Sequence, residues 1–348
     1  MKKILLTFVL TMSVMGAWAD WDGGTYNATW DETINAVVNV TDDATLTIRD
    51  CMVVTVNGGI VVAEGKKLIV TGNGKLVVNA SAGTAANAVE GTVIVYGAEV
   101  QATGGSGTDG ATGENGTDGS PGNPGGNGTQ GCKGVTGGTG GAAFAGDVMM
   151  VSGSLTAIGG IGGKGGAGGD GGKGGDGVNG GDGGNGGKAG FGGNGGTGGN
   201  AFAGTLTFYG GKVSASGGKG GPGGPYGKGG KEGKGDGNGE DGWSGGQGVD
   251  GYEGHTGFAF ANNATFKTDK YDLSPDDAHD YFTRQESVSI SADDATLPKG
   301  IEIATAIEQV AKSQEPKANS PIFDLQGRSV QNAAKGVYIV KGKKVIVK

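Results

Sequence analysis

From Gly159 to Gly177 the chain reads GGIGGKGGAGGDGGKGGDG, with glycine at two of every three positions and a third position that is apolar, basic or acidic in turn. A flexible linker has no need of such a phase. Nor can the stretch form an ordinary core, because glycine has no side chain to bury and the most backbone freedom to lose. Two more tracts keep the beat. From Gly107 to Gly141 the sequence is GTDGATGENGTDGSPGNPGGNGTQGCKGVTGGTGG, with glycine at every third position from Gly104 through Gly140. The second tract runs two phases on from Gly159, broken once each at Val178 and Ala189, and the third keeps one phase from Gly218 to Gly257, broken at Asp236.

Three residues per turn is the period of the polyproline II helix, so a fixed phase lines one edge with glycine and lets another backbone approach. Such a helix makes no internal hydrogen bonds, and its buried amides need partners on neighbouring helices. The tracts therefore predict a laterally bonded polyglycine-II bundle, each tract of about 40 residues doubled into two legs roughly 50 to 60 Å long. A collagen-like trimer fits less well, since the first tract has only Pro121 and Pro124 and the second has no proline. Disorder is the competing reading, because almost no apolar side chain is present to offset the entropy of ordering. The triplet pattern resembles the glycine-rich antifreeze proteins of snow fleas, and also glycine-rich tips of phage tail fibres. The resemblance covers Gly104 to Gly257 in three pieces, with GNPG and GCKG as local echoes. It implies a fold, a bundle of such helices, more than an activity.

The remaining sequence reads as strands. Between Ala44 and Ala80 the apolar alternation Leu46/Ile48, Ile60/Val62, Leu68/Val70 and Leu76/Val78 is interrupted by Gly and Asn turns. Three segments then align: GTVIVYGAEVQATGG from Gly91, GDVMMVSGSLTAIGG from Gly146 and GTLTFYGGKVSASGG from Gly204, with a partial copy, NATFKTD, from Asn263. Repeats of similar length with a constant strand pair suit stacked rungs that bury one another's apolar face and present insertions on one side. The expected fold is all-β: β-solenoid rungs of right-handed β-helix type with an inserted polyglycine-II bundle and a small C-terminal β hairpin. Val93/Val95, Val148/Met150 and Leu206/Phe208 are expected in the core.

The N-terminus has Lys2 and Lys3, an apolar run, and Ala17 and Ala19 at the recognition positions of a signal-peptidase site, which predicts cleavage after Ala19 and export. The formal net charge of −8 becomes −10 without those two lysines, which disfavours nucleic acid and anionic membrane as partners. Cys51 and Cys132 could pair in an oxidising compartment, but two cysteines make no framework, and Cys51 is expected to be a buried thiol. Neither a metal site nor a cofactor site is legible. His255 and His279 have no ligand spacing, and DGNGEDG at Asp236 lacks the glycine and glutamate of a calcium loop, with Asp241 and Gln247 in their places.

The last 28 residues, PIFDLQGRSVQNAAKGVYIVKGKKVIVK, read as a strand, a turn and a hairpin around Gly342. They resemble the C-terminal sorting motif of the type IX secretion system of Bacteroidota, through Asp324, Leu325, Gly327 and Arg328, then Gly336, Tyr338, Ile339 and Val340, and finally Gly342, Lys343 and Lys348. The resemblance implies the type IX machinery as a partner. The expected organisation is a signal peptide over 1–19, strand rungs over 20–103, and triplet tracts (104–141, 159–199, 217–257) interleaved with strand units over 104–262. An acidic connector then covers 263–320 and the sorting-type tail 321–348. The expected function is a secreted or cell-surface structural or adhesive protein without catalysis. The alternatives are a polysaccharide- or ice-binding module using the flat face of the bundle and, further off, a polysaccharide lyase-like enzyme.

Overall fold

The short β-branched runs pair as the alternation requires. The computed structural model describes residues 20–269, 285–296 and 298, and the backbone of four short strands between Ile322 and Val347. These residues are all-β, and the strands stack mostly in parallel into three columns. The first column contains Gly24–Ala28, Ala44–Ile48, Lys67–Gly72, the leading halves of Thr92–Thr103 and Val148–Ile158, then Thr205–Phe208 and Thr265–Thr268. The second contains Glu32–Ile34, Val53–Asn57, Lys75–Asn79, the trailing halves of the same two long strands, and Gly211–Ser216. Ser287–Ala292, which falls in the stretch expected to be a connector, pairs antiparallel with Gly211–Ser216 and covers its edge. The third column has Asp20–Trp21, Val38–Val40, Ile60–Val62 and Val89–Glu90, and is continued by single bridges at Phe144, Phe202 and Phe260.

The inward residues of the three columns form one core. All the apolar pairs expected there, from Leu46/Ile48 to Leu206/Phe208, are buried in it. Where the two long strands pass from one column to the next, Gly97 and Gly153 adopt φ of +89° and +90°. A Cβ on Gly153 would stand 2.4 Å from the carbonyl oxygen of Ala98 in the rung beneath, so only glycine fits that corner. The third column is closed by a ladder of rings: Phe144 and Phe202 stack with centroids 5.4 Å apart, and Phe202 and Phe260 at 5.1 Å. At another turn Asn35, Asn57 and Asn79 pass an amide hydrogen bond from rung to rung, at 2.9 and 3.0 Å.

All three glycine tracts leave the second column at the same corner, after Thr103, Ile158 and Ser216, and rejoin the third at Phe144, Phe202 and Phe260. Each runs out and back, giving outgoing legs over 104–119, 159–177 and 217–235 and return legs over 125–141, 181–199 and 239–257. Two of the breaks in glycine phase are the tips: the amide of Gly181 bonds the carbonyl of Val178, and that of Gly239 bonds Asp236. The third break, Ala189, is only 2% exposed within the array. Close to it, where Tyr226 also replaces glycine, the Gly248 to Gly227 bond that would continue its series is not formed among the described residues.

The legs are joined by backbone bonds at every third residue. Within the outgoing layer Gly110 donates to Lys164 at 2.7 Å and Gly165 to Pro222 at 2.9 Å, and within the return layer Gly128 donates to Asn185 and Gly186 to Trp243, both at 2.8 Å. Antiparallel bonds tie the layers together, such as Gly163 to Gly138, Gly193 to Gly166 and Gly221 to Gly196, all at 2.8 Å. In an inner leg, two amides per triplet are thus bonded to neighbouring backbones and the third belongs to the residue on the outer face. The middle outgoing leg shows this as a repeat of two buried residues and one more exposed residue.

Three substitutions test the array and the core. A Cβ on Gly116 would come within 2.0 Å of the Thr129 oxygen and 2.8 Å of the Gly172 nitrogen. Gly116→Ala is expected to cost about 2 to 4 kcal/mol through overpacking and lost backbone bonds, and to abolish amide protection around it. Asp118→Ala in the same triplet loses only the 2.7 Å bond from the exposed Lys173 amide, which water can replace, and should leave protection intact across 104–140. Phe202→Ala opens the stacked column and should cost about 3 to 5 kcal/mol in denaturant unfolding.

Candidate functional site

The outer positions of the legs make two broad faces, and a shared rule shapes both. The third amide of each triplet points along the face, and wherever the preceding leg offers Asp or Asn, its side-chain oxygen accepts that bond. On the outgoing face Lys164 donates to Asp109 at 2.8 Å, Asp170 to Asn115 at 2.8 Å and Lys228 to Asp170 at 2.7 Å. On the return face Asn185 donates to Asn127 at 2.8 Å, Trp243 to Asn185 at 2.8 Å and Tyr252 to Asn194 at 3.1 Å. The Asp and Asn of the tracts therefore extend the backbone array through short side chains that can reach a neighbouring amide.

The two faces differ in chemistry. The binding alternatives read from the sequence take the bundle to use one flat face. In the structure the outgoing face carries most of the lysines and aspartates, with Lys219, Lys228, Lys231 and Lys234 on its outermost leg, while Lys133, Lys188 and Asp182 lie on the return legs. The return face is mostly amide and hydroxyl, with Thr139 and Thr197 hydroxyls 3.1 Å apart, and with apolar side chains on its outer leg. Trp243 and Tyr252 there are 81% and 76% exposed. Sequence reasoning passed over these rings, although Trp243, Val249, Tyr252 and Phe258 share one triplet phase with Gly246 and His255.

The acidic residues near Asp236 serve the hairpin tip. Asp236 accepts from the Gly180 amide at 3.1 Å. Asp241 accepts from the Gly235 amide and from Lys234 Nζ, each at 2.9 Å. Lys234 also reaches Glu232, whose carboxylate takes a bond from the Ser244 hydroxyl. That hydroxyl, with backbone donation and Lys234, holds the Glu232 carboxyl at a pKa of about 2. The Lys234 ammonium lowers Asp241, and the Lys234 amide, then Lys173, lower Asp176. No group of three metal-ligating side chains is present among the described residues. In the groove along the glycine corners, Glu99 is paired with Lys75 at 2.8 Å and Asp294 accepts from the Gly153 amide at 3.2 Å.

Cys51 corrects an expectation. It is exposed, because it occupies a tight turn at φ 61°, outside the strands whose inward positions make the core. Cys132 is exposed on the first return leg, and both thiols are free. Of the tail positions, Gly336, Tyr338, Ile339 and Val340 lie in the strand Gly336–Val340, which pairs antiparallel with Lys343–Val347 and places Lys343 opposite Val340. Asp324, Leu325, Gly327, Arg328, Gly342 and Lys348 lie outside the described residues, as do His279 and the segment 1–19.

No protein-family model and no curated protein matches the chain. Among solved structures it is similar to the nine polyproline type II helical bundle springtail antifreeze protein from Granisotoma rainieri, at 32% identity over 42% of this chain and 92% of that one, with a TM-score of 0.14. At that TM-score the likeness carries no conclusion about fold or activity.

The tip carboxylates predict a pH response. Their pKa values are lowered by folding, so their contribution is complete at neutral pH and is lost as pH falls through the folded values. As pH falls below the ordinary carboxylate range, protection of the Lys234 and Gly235 amides, which bond Asp176 and Asp241, should fall. The Gly166 amide, bonded to the Val135 carbonyl, should keep its protection through the same acidification when exchange is corrected for intrinsic rate.

Proposed function

We propose that the chain is an exported, surface-associated protein that acts as a structural or adhesive scaffold, without catalysis and without a cofactor. In this reading it is a β-solenoid whose successive turns carry a six-legged polyglycine-II bundle. The single observation that supports it best is the array of backbone bonds every third residue. Because the array holds the legs through glycine amides and carbonyls, the outward residue of each triplet is left to vary, and the bundle is suited to displaying two rigid faces. Such a display is of use outside the cell. The lysine-led apolar N-terminus ending at Ala19 and the tail over 321–348, with its resemblance to a type IX sorting motif, support export to the medium or outer surface through the type IX machinery.

Deleting 321–348 tests the address separately from the fold. The truncated protein should accumulate in the periplasm of a host with a type IX system, with its glycine amides still protected from exchange. Recovery of the truncated protein outside the cell at the parent level would remove the sorting assignment.

A further inference from the structure

The face positions of the outermost return leg are unlike those of the other legs. Trp243, Val249 and Tyr252 are 81%, 59% and 76% exposed, and Phe191 on the adjoining leg, 48% exposed, stands beside Val249, where the Gly192 amide bonds the Val249 carbonyl at 2.9 Å. At about 3.1 Å per residue the triplet phase sets successive face positions roughly 9 Å apart, and Trp243 and Tyr252 about 28 Å apart along a straight leg. Between them Gly246 leaves the surface bare, since a Cβ built there would meet nothing within 4 Å. Packing of the array does not call for large aromatic groups here, because the positions that correspond to Trp243 and Tyr252 on the neighbouring leg are Asn185 and Asn194. Large side chains exposed in line mark a surface of interaction.

The chemistry around the rings narrows the partner. The backbone amides of Trp243 and Tyr252 are bonded to Asn185 Oδ1 and Asn194 Oδ1. Each asparagine amide is thereby oriented, and its Nδ2 donors have no partner among the described residues. The face positions from Trp243 to Phe258 include no Lys, Arg, Asp or Glu, and the adjoining leg adds one charge between Asn185 and Asn194, Lys188, so a polyelectrolyte finds a single complementary charge along the row. A protein partner needs a contiguous apolar patch, whereas here bare Gly246 interrupts the row after Trp243 and an asparagine amide flanks each of Trp243 and Tyr252. An extended ligand with apolar ring faces, peripheral hydroxyls and no charge meets every feature. The geometry points to a docking track for an uncharged β-linked polysaccharide: the C–H faces of its sugar rings lie on Trp243 and Tyr252, and its hydroxyls accept from Asn185 and Asn194. The assignment rests on the bundle being a display scaffold and names what one of its faces takes.

The test is native affinity electrophoresis of the full chain in gels containing soluble mixed-linkage β-glucan, with starch and alginate gels in parallel. The β-glucan should retard the parent protein. Trp243→Ala and Tyr252→Ala should each weaken that retardation about tenfold, as expected of aromatic anchors. Lys231→Ala on the opposite face should leave it unchanged, and glycine amide exchange checks that every variant keeps the array. A parent that runs unretarded in β-glucan, or a Trp243→Ala/Tyr252→Ala double variant retarded as strongly as the parent, overturns the proposal. So does retardation by alginate alone that Lys231→Ala abolishes, which assigns binding to the lysine face. None of these outcomes touches the export assignment, which is read from localisation alone.

Discussion

Every other feature of the bundle depends on the closeness with which its backbones approach. A leg without internal hydrogen bonds can be buried only if neighbouring legs take its amides and carbonyls, and they come within bonding distance only where no Cβ intervenes. The middle legs, with neighbours on several sides, keep two glycine phases. The first outgoing leg keeps one and fills the freed position with Thr108, Ala111, Glu114 and Thr117, because fewer backbones crowd it.

The strand columns supply the register. Val93 pairs with Val148, and Lys164 donates to Asp109, so the first two outgoing legs keep the 55-residue offset of the strands that feed them. The return legs of the same two tracts are offset by 58, as between Asn185 and Asn127. The difference is one triplet, which lengthens the second tract without disturbing phase. Between the second and third units the offset is 58 throughout, in Val148 with Leu206, in Lys228 with Asp170 and in Trp243 with Asn185. Parallel strands stacked in register therefore start three glycine legs side by side, and the entropic cost of aligning them is shared with a hydrophobic core that the legs do not possess.

The face rule follows from the same geometry. Two of three amides per triplet are consumed in holding an inner leg, and the third is left at the surface beside the outward residue of the preceding leg. Asp and Asn are short enough to accept it, which gives carboxylates such as Asp109, Asp170 and Asp176 a local structural task. Lys and the aromatic residues enter that relay only through their backbone amides, and the chemistry displayed to a partner comes from their side chains.

Much of this was legible from residues in order. Period-three glycine announced laterally bonded legs, the alternation in Leu46/Ile48 and its successors announced strands with one buried side, and the spacing of the three long segments announced stacking, because each is a local pattern with one physical use. Val178 and Asp236 stood out as breaks in phase, yet only the folded chain shows that they are the tips at which legs reverse. The exposure of Cys51, the antiparallel cover formed by Ser287–Ala292, and the gathering of most lysines on one face and of Trp243 and Tyr252 on the other were likewise decided by tertiary structure. Residues in one triplet phase share an edge of their own leg, and sequence determines that much. Which edge faces water and which faces another backbone depends on how outgoing and return legs interleave, and that arrangement exists only once the strands have placed the legs in contact.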